Sequence, residues 1–271
     1  MFIDLNNILD IDEKQPPDRI SISISSSQTD NGFLIHHFLS LYIRNGYNVC
    51  MVSFTQSFSH YNNVGQKLGV NITAARDNGT LIFIDGLKLI NECLFASPGD
   101  SGGVEKNPFS FVSDPKPDLK NLYDHIKQTI TSFSSHSTVP TLLLMDDLGI
   151  LTDLGVPVLA VGDLMMYLRN FMTSAQTLRS GCLVSVVQAD KDAADEEHEL
   201  LLTRLAHNSD MMLHCKSLNS GYCKDVHGEL LVTWLDPKQN YPFTSRAKRM
   251  QFKIMDKTVS FFAAGMSSAV L

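Results

Sequence analysis

The chain has 271 residues, of which 44% are hydrophobic and 19% are charged, a balance typical of a folded soluble protein. Its formal net charge of -7 argues against indiscriminate binding to nucleic acid. The charge is unevenly distributed, because the residues from Tyr241 onward carry five Lys or Arg and one acid, +4 in all, so that the remainder carries -11.

The cysteines and the N-terminus indicate an intracellular protein. Five cysteines occur singly, three of them inside apolar runs where a thiol acts as a small hydrophobic side chain, and an odd number favours a reducing compartment. The N-terminal sequence MFIDLNNILD has two acids and no basic segment, so we predict no signal peptide. No apolar run approaches the ~20 residues needed to cross a bilayer.

Predicted strands and helices alternate through most of the chain. The strands fall at residues 20–25, 47–54, 81–84, 142–145 and 182–187, and the helices at 33–44, 60–68, 119–133 and 158–172. Such alternation implies right-handed crossovers and a mostly parallel, twisted sheet flanked by helices, an α/β fold. We expect one domain over residues 1–271. Residues 96–118, rich in Pro and Gly, are predicted to form a flexible internal linker or loop.

The C-terminal part has a different pattern. The acidic run Ala189 to Glu199 precedes the apolar sequence LLLTRL, which predicts a helix whose N-terminal dipole the acids offset. Short predicted strands then follow one another without helices, at residues 211–215, 229–234, 251–255 and 258–263. Tight turns between short strands favour an antiparallel extension at one edge of the sheet.

The sequence VPTLLLMDDLGIL, residues 139–151, is the strongest candidate for a nucleotide-site motif. A continuous apolar run predicts a strand buried on both faces, and its carboxyl end is where ligands bind in parallel sheets. Asp146 and Asp147 therefore occupy the place where an ATPase holds its magnesium-binding carboxylate, a Walker B-like position. A core strand followed by a solvated acidic turn explains the same residues.

The matching phosphate-binding loop is missing. It should follow the first strand, with glycines for close backbone approach and a Lys and a Ser or Thr for phosphate and magnesium. This position holds SSSQTDNG, residues 25–32, with one glycine, no lysine and the acid Asp30. Ser26, Ser27 and Thr29 could still cap the following helix. ATP hydrolysis by this chain alone is not expected, and neither a cofactor nor a catalytic residue is predicted.

Three other groups of residues could carry function. His214, Cys215, Cys223 and His227 contain metal-ligand types, but seven residues separate the cysteines and Cys215 is in phase with a core strand, so no metal site is predicted. The turn QSFSHY, with Gln56, Phe58, His60 and Tyr61, could stack on a base or a partner, or pack as a loop. Arg246, Lys248 and Arg249 could contact phosphate oxygens, or form a solvated surface.

Several stretches resemble a known family. They are FLIHHFLSLY (33–42), QSFSHY (56–61), VGQKLGV (64–70), GYCKDVHGEL (221–230) and KIMDKTVSFFAAGMSSAVL (253–271). A parallel core with a Walker B-like strand and no Walker A loop is similar to a degenerate RecA-type ATPase. Together with the quoted stretches it resembles the sixth subunit of the Elongator complex.

This resemblance implies a non-catalytic, RecA-like subunit. Such a chain assembles with the fourth and fifth Elongator subunits into a hetero-hexameric ring, which joins the catalytic subcomplex that modifies the wobble uridine of tRNA and binds tRNA. It also implies a cytoplasmic location with a nuclear fraction. The alternative is an active or composite ATPase that hydrolyses ATP at subunit interfaces. Heterologous ring interfaces need apolar, aromatic and Met-rich surfaces, and the chain supplies eleven Met and fifteen Phe.

Overall fold

The computed structural model describes residues 2–95, 107–114, 116–134, 139–174, 178, 180–188, 196–218, 221, 223–235 and 246–263. The helices in these ranges are α1 (Ile3–Leu9), α2 (Gly32–Arg44), α3 (Phe58–Lys67), α4 (Ile72–Asp77), α5 (Gly86–Leu94), α6 (Lys120–Ser134), α7 (Gly149–Asp153), α8 (Val158–Thr173) and α9 (Glu196–His207). The strands are β1 (Ile20–Ser27), β2 (Asn48–Ser53), β3 (Leu81–Asp85), β4 (Thr141–Asp146), β5 (Gly181–Gln188), β6 (Met211–Lys216), β7 (Gly228–Trp234), β8 (Arg246–Ile254) and β9 (Val259–Phe262).

All nine strands belong to one sheet, in the order β3-β2-β4-β5-β1-β6-β7-β8-β9. The pairs from β3 to β6 are parallel, whereas β6 to β9 pair antiparallel. The predicted parallel sheet with an antiparallel C-terminal extension is therefore confirmed. In the centre, Ile22 of β1 pairs with Val184 on one side and Met211 on the other. Among the described helices, none is long and apolar enough to cross a membrane.

Helices cover both faces of the sheet and enclose two hydrophobic cores. Helices α1 to α4 pack on one face, where Phe38 and Tyr42 of α2 are fully buried. Helices α5 to α9 pack on the other, where Leu122 and Ile126 of α6 and Leu168 of α8 are fully buried. The central strands therefore contact apolar side chains on both sides, which explains the continuous apolar run of β4.

Strand β1 shows how tertiary packing alters a sequence pattern. Its alternation of Ile and Ser is typical of a half-exposed strand, yet all residues from Ser21 to Ser27 are buried. The buried hydroxyls find polar partners: Ser23 Oγ lies 3.1 Å from Ser185 Oγ and 2.6 Å from Ser209 Oγ. These contacts compensate the cost of removing the hydroxyls from water.

The predicted linker over residues 96–118 contains a packed segment. Residues 96–106 and 115 lie outside the described residues, but Phe109 and Phe111 flank the start of a 3-10 turn, Ser110–Ser113, and both rings are buried in the second core. Full burial of such a ring contributes about 2 kcal/mol. The two aromatic residues thus anchor this part of the segment, and a free linker is the wrong description for it.

Two strand and helix boundaries differ from the prediction. β8 begins at Arg246 rather than near residue 251, so the basic residues lie on a strand instead of in a tail; residues 236–245 fall outside the described ranges. Helix α5 follows Asp85 directly, because the Asp85 carboxylate accepts a hydrogen bond from the Lys88 backbone N–H at 2.9 Å and caps the helix. The acid-rich start of α9 is confirmed from Glu196 onward, whereas residues 189–195 are not described.

Candidate functional site

A cavity of about 450 Å³ opens at the carboxyl ends of the parallel strands, where ligands of such sheets bind. Four segments of the chain that meet at this cavity carry the predicted or charged residues. The start of α2 contributes Asp30, and the β2–α3 turn contributes Gln56, His60 and Tyr61. The end of β4 contributes Asp146, and the turn between β8 and β9 contributes residues 255–257. This cavity corresponds in position to the nucleotide site that the sequence suggested.

The start of α2 already holds a carboxylate of the chain itself. Asp30 Oδ1 accepts a hydrogen bond from the Gly32 backbone N–H at 2.7 Å. In a phosphate-binding loop, such helix N-terminal N–H groups point at the bound phosphate. Here one of these donors is taken, and an exposed negative charge stands beside it.

The predicted hydroxyl caps are wrong. Ser26 Oγ accepts from Asn31 Nδ2 at 3.1 Å, and Thr29 Oγ1 donates to the His227 carbonyl at 3.3 Å. Asn31 occupies the N-cap position, where no side-chain cap hydrogen bond forms. The polar side chains that follow β1 therefore form hydrogen bonds with neighbouring side chains and turns instead of capping α2. Buried polar groups at the end of a central strand need such partners.

Asp146 is 3% exposed and ends strand β4. Its Oδ2 accepts from the Tyr61 hydroxyl and, at 3.5 Å, from Thr55 Oγ1. Its Oδ1 is buried and has no hydrogen-bond partner among the described residues. Burial raises the pKa of Asp146, while the hydrogen bond from Tyr61 opposes that shift. One half of the carboxylate is therefore held in place and the other half is unused.

Asp147, 5% exposed, is satisfied on both oxygens. Oδ1 accepts from the Gly149 backbone N–H at 2.9 Å, and Oδ2 accepts from the Gln188 backbone N–H at 3.1 Å. Burial raises the pKa of this carboxyl to about 7, partly offset by the Gly149 hydrogen bond. Asp147 therefore ties the β4–α7 turn to the end of β5. The two adjacent acids have different surroundings, which the sequence did not distinguish.

The aromatic turn is divided between packing and exposure. Phe58 lies under the Arg76 guanidinium, 4.0 Å from the ring centroid, and packs edge-on against Phe83. Tyr61 is buried against Asp146, whereas Gln56 and His60 are exposed at the cavity. Of this predicted set, Gln56 and His60 are exposed, Phe58 is half-buried and Tyr61 is buried.

The basic set lies elsewhere and is largely neutralised. Asp10 forms ion pairs with Arg246 Nη2, at 2.8 Å, and with Lys248 Nζ, at 2.9 Å. Both cations also lie over the Trp234 ring, at 4.8 and 5.3 Å from its centroid. Lys248 further donates to the Ile8 carbonyl at the end of α1. Of the three predicted phosphate contacts, Arg246 and Arg249 are exposed on β8 and Lys248 is half-buried, and Asp10 and Trp234 engage Arg246 and Lys248.

The aromatic and basic sets do not meet. β8 runs from Arg246 to Ile254, and its far end reaches the cavity through Ile254. Eight steps along a strand span about 27 Å. Because the basic set lies toward the start of β8 and the aromatic turn lies at the cavity that the end of β8 reaches, the structure places the two sets at opposite ends of the sheet.

Two histidines of this region were not predicted to be site residues. His36, one turn into α2, lines the cavity; burial, and then the nearby His60, lower its pKa to about 4. His198 of α9 has Nε2 3.4 Å from Thr152 Oγ1 and contributes to lowering the pKa of Asp147. A histidine one turn after the β1–α2 loop is a recognisable signal for His36. Nothing in the local sequence around His198 indicates its position.

The metal-ligand types considered in the sequence are engaged otherwise. His214 Nδ1 lies 2.8 Å from Ser25 Oγ, and His227 Nδ1 accepts from the Ile254 backbone N–H at 3.1 Å. Cys215 is buried in the first core. Within the described ranges no three His, Cys, Asp or Glu side chains come together as a metal centre would require.

The fold and the position of the cavity define a RecA-type α/β protein. A KaiC-like protein from Pyrococcus horikoshii has the same architecture, with a TM-score of 0.54, 10% sequence identity and 91% coverage of both chains. At this identity the likeness concerns the fold alone. The predicted RecA-like fold is confirmed.

The family follows from the sequence comparisons. The family model described as Elongation complex protein 6 matches residues 2–256, and the chain belongs to that family. Proteins named Elongator complex protein 6 are 42% identical in Rattus norvegicus and 39% identical in Homo sapiens, with complete coverage of both chains in each case. The one from Dictyostelium discoideum is 23% identical over 92% of this chain and 91% of its own. The predicted resemblance is confirmed, and the chain has a role in Elongator.

Proposed function

We propose that the protein is a non-catalytic subunit of a hetero-hexameric RecA-like ring in Elongator. In this proposal it assembles with the fourth and fifth Elongator subunits, and the ring supports wobble-uridine modification by binding tRNA beside the catalytic subcomplex. The protein acts in the cytoplasm, with a nuclear fraction. Membership of the Elongation complex protein 6 family and the RecA-type fold support this assignment.

The observation that carries the non-catalytic part is the Asp30 carboxylate at Gly32. A nucleotide phosphate bound there would meet an acid that already accepts the Gly32 N–H, in a loop without lysine. Two like charges at 4 Å repel by about 4 kcal/mol at an effective dielectric constant of 20. The loop therefore disfavours the ligand that a catalytic RecA-type site must hold.

Reconstitution tests the assembly. Co-expression of the full chain with the fourth and fifth subunits should yield a complex with equal amounts of all three, with the mass of a hexamer by light scattering. A chain that remains monomeric in the presence of both subunits would contradict the proposal. Quantitative mass spectrometry of the complex purified from cells checks the same stoichiometry without overexpression.

The second candidate is a composite ATPase, favoured by the position of Asp146 and Asp147 at the cavity end of β4. It requires ATP turnover by the reconstituted ring to fall at least ten-fold when both residues are replaced by Asn, at concentrations where light scattering shows an intact ring. Undiminished turnover would exclude this chain from an ATP site. An isolated chain that binds a fluorescent ATP analogue would count in favour of the candidate.

A further inference from the structure

Helix α8 presents apolar side chains to solvent. Five of its residues are exposed, and three of these are apolar: Leu159 is 54%, Met166 39% and Tyr167 56% exposed. Because Met166 and Tyr167 follow Leu159 by seven and eight residues, the three lie on the same side of the helix. The outer face of a helix at a protein surface normally carries charged and polar residues. Grouped exposed apolar side chains of this kind mark an interaction site.

A groove of about 510 Å³ lies between α8 and α6. We call it the α6–α8 groove; its lining residues fall within 117–124 on one side and 160–167 on the other. The rings of Tyr123 and Tyr167, with centroids 6.0 Å apart, contribute an aromatic wall. Tyr167 is open to solvent, and Tyr123 and Ala160 are half-buried. A space between two packed helices can receive the apolar face of a third helix.

The charged residues of the groove are mostly acidic. Three acids and one base line it: Asp118, Asp124, Asp163 and Lys120. Their charges sum to -2, and the further base Lys127, which lies over the ring of a lining tyrosine at 5.8 Å, brings the sum to -1. Lys120 Nζ pairs with Asp124 at 3.0 Å. Asp118 and Asp163 form no ion pair with any residue that the structure describes. The groove is therefore complementary to a positively charged partner.

The surface selects one type of partner. Its apolar stripe, Leu159, Met166 and Tyr167, needs apolar side chains, and the neighbouring acids need Lys or Arg. Tyrosine rings also attract cations, and Arg stacks on them. Nucleic acid, an anionic lipid surface or an acidic peptide would bring like charges to the groove. An amphipathic helix meets these requirements, because residues three and four apart form an apolar face with basic residues at its border.

We propose that the α6–α8 groove and the apolar stripe beside it dock a basic amphipathic helix of a protein partner. Leu159, Met166 and Tyr167 contact its apolar face. Asp118 and Asp163 pair with its Lys or Arg residues. The surface shares no lining residue with the cavity at the carboxyl ends of the strands. The proposal concerns a surface of the chain itself and does not rest on the ring proposed above.

A fluorescein-labelled helical peptide of Leu and Lys tests the groove on the isolated full-length chain. Fluorescence anisotropy should show saturable binding of this peptide, and the same peptide with Glu in place of Lys should bind about ten-fold more weakly or less. The amide NMR signals of Tyr123, Asp163 and Tyr167 should shift during the titration. Absence of binding by the Lys peptide, or equal binding of the Glu peptide, overturns the proposal.

Paired substitutions separate the groove from general attraction to a negatively charged chain. Asp163→Asn with Tyr167→Ser changes two exposed side chains and should weaken binding of the Lys peptide about ten-fold. The matched control, Asp77→Asn with Leu87→Ser, removes an exposed acid and an exposed apolar side chain elsewhere and should bind as the unaltered chain does. Equal weakening in both pairs overturns the proposal.

A single substitution covers the case in which the first pair is unstable. Asp163→Lys reverses one charge of the groove at an exposed position and should weaken binding of the Lys peptide about three-fold. Unchanged binding by this variant would contradict the role of the acids.

Sedimentation of the isolated chain distinguishes a second copy from a different partner. A monomer that binds the Lys peptide supports the proposal, whereas a dimer that the Asp163→Asn, Tyr167→Ser pair dissociates assigns the groove to a second copy and overturns it. Because all these measurements use the isolated chain, failure of the ring to assemble would leave them unaffected. Loss of peptide binding would likewise leave the proposed ring standing.

Discussion

Two charged regions lie at opposite ends of the sheet and differ in whether their charged groups have partners. At the Arg246 end of β8, exposed cations share Asp10 and the Trp234 ring. At the carboxyl-end cavity, one carboxylate oxygen of the buried Asp146 has no hydrogen-bond partner among the residues that the structure describes. Two of the three residues that resembled a free phosphate-binding surface are engaged by Asp10 and Trp234, whereas the acid that resembled the remnant of a lost site is buried with one oxygen unused. Net charge alone is therefore a poor guide to where a ligand binds.

The two neighbouring acids of the cavity region should differ most in stability. Asp147→Ala removes the acceptor of the buried Gly149 N–H and the part-buried Gln188 N–H, and should lower the free energy of unfolding by about 2–4 kcal/mol. Asp146→Asn keeps an oxygen for Tyr61 and removes a poorly solvated charge, so the free energy of unfolding should stay within about 1 kcal/mol of the unaltered chain or rise. Urea unfolding at pH 7.5 measures both changes. Equal losses in the two variants would erase the distinction between them.

The adjacent histidines of α2 both lie at the cavity end, since His36 lines the cavity and His37 accepts from the N–H of Phe2, another lining residue, at 3.1 Å. Burial, and then the charge of the N-terminus, lower the pKa of His37 to about 3. The unfolded chain therefore takes up this proton first, near pH 6.5, and stability is lost as pH falls below that value. Between pH 7.5 and pH 5 the loss from His37 should be about 2 kcal/mol.

Comparison of His37→Asn with the unaltered chain isolates this effect, because Asp147, whose pKa is raised, acts in the opposite direction in both chains. As pH falls through about 7, the folded state binds the Asp147 proton more tightly and gains stability. The variant should have a flatter stability profile below pH 6.5, measured by urea unfolding from pH 5 to 7.5. The exposed His207→Asn serves as control. An unchanged slope in His37→Asn would show that this ring is not the acid-sensitive group.

Substitution of Asp10 tests the basic region, because it removes the acid that pairs with the cations of β8. Asp10→Asn should free Arg246 and Lys248 and cost about 1 kcal/mol of stability or less, because these are surface ion pairs. Affinity for tRNA should rise, and the slope of log affinity against log salt should steepen by about 1–2. Fluorescence anisotropy of the isolated chain at several salt concentrations measures this slope, with the exposed Glu13→Gln as control. An unaltered slope would mean that the cations were already accessible.

The smallest effects are expected when the basic residues of β8 are replaced in a chain that retains Asp10. Arg246→Gln and Lys248→Gln should leave the salt slope of tRNA binding by the reconstituted ring unchanged, because Asp10 and Trp234 already engage both side chains. Arg249→Gln, at an exposed position, should flatten that slope by at most about 1. If all three substitutions flatten the slope equally, all three residues contact phosphate as predicted, and Asp10 and Trp234 do not neutralise the basic region.

The sequence by itself determined the architecture and the family. Apolar runs such as Leu142 to Met145 predict strands because the hydrophobic effect requires their burial, and the order of strands and helices then allows few topologies. It also determined that SSSQTDNG is no ordinary phosphate loop. The sequence did not predict short helices such as α1 and α5, since a few residues carry little periodicity.

Only the tertiary structure decided the role of each charged side chain. Whether Asp146 or Asp147 is satisfied depends on the Tyr61 hydroxyl and the Gln188 N–H, which are distant in sequence. The neutralisation of Arg246 likewise depends on Asp10, at the other end of the chain. Electrostatic and hydrogen-bond energies depend on distance and burial in three dimensions, so identical residue types carry different roles that local sequence cannot distinguish.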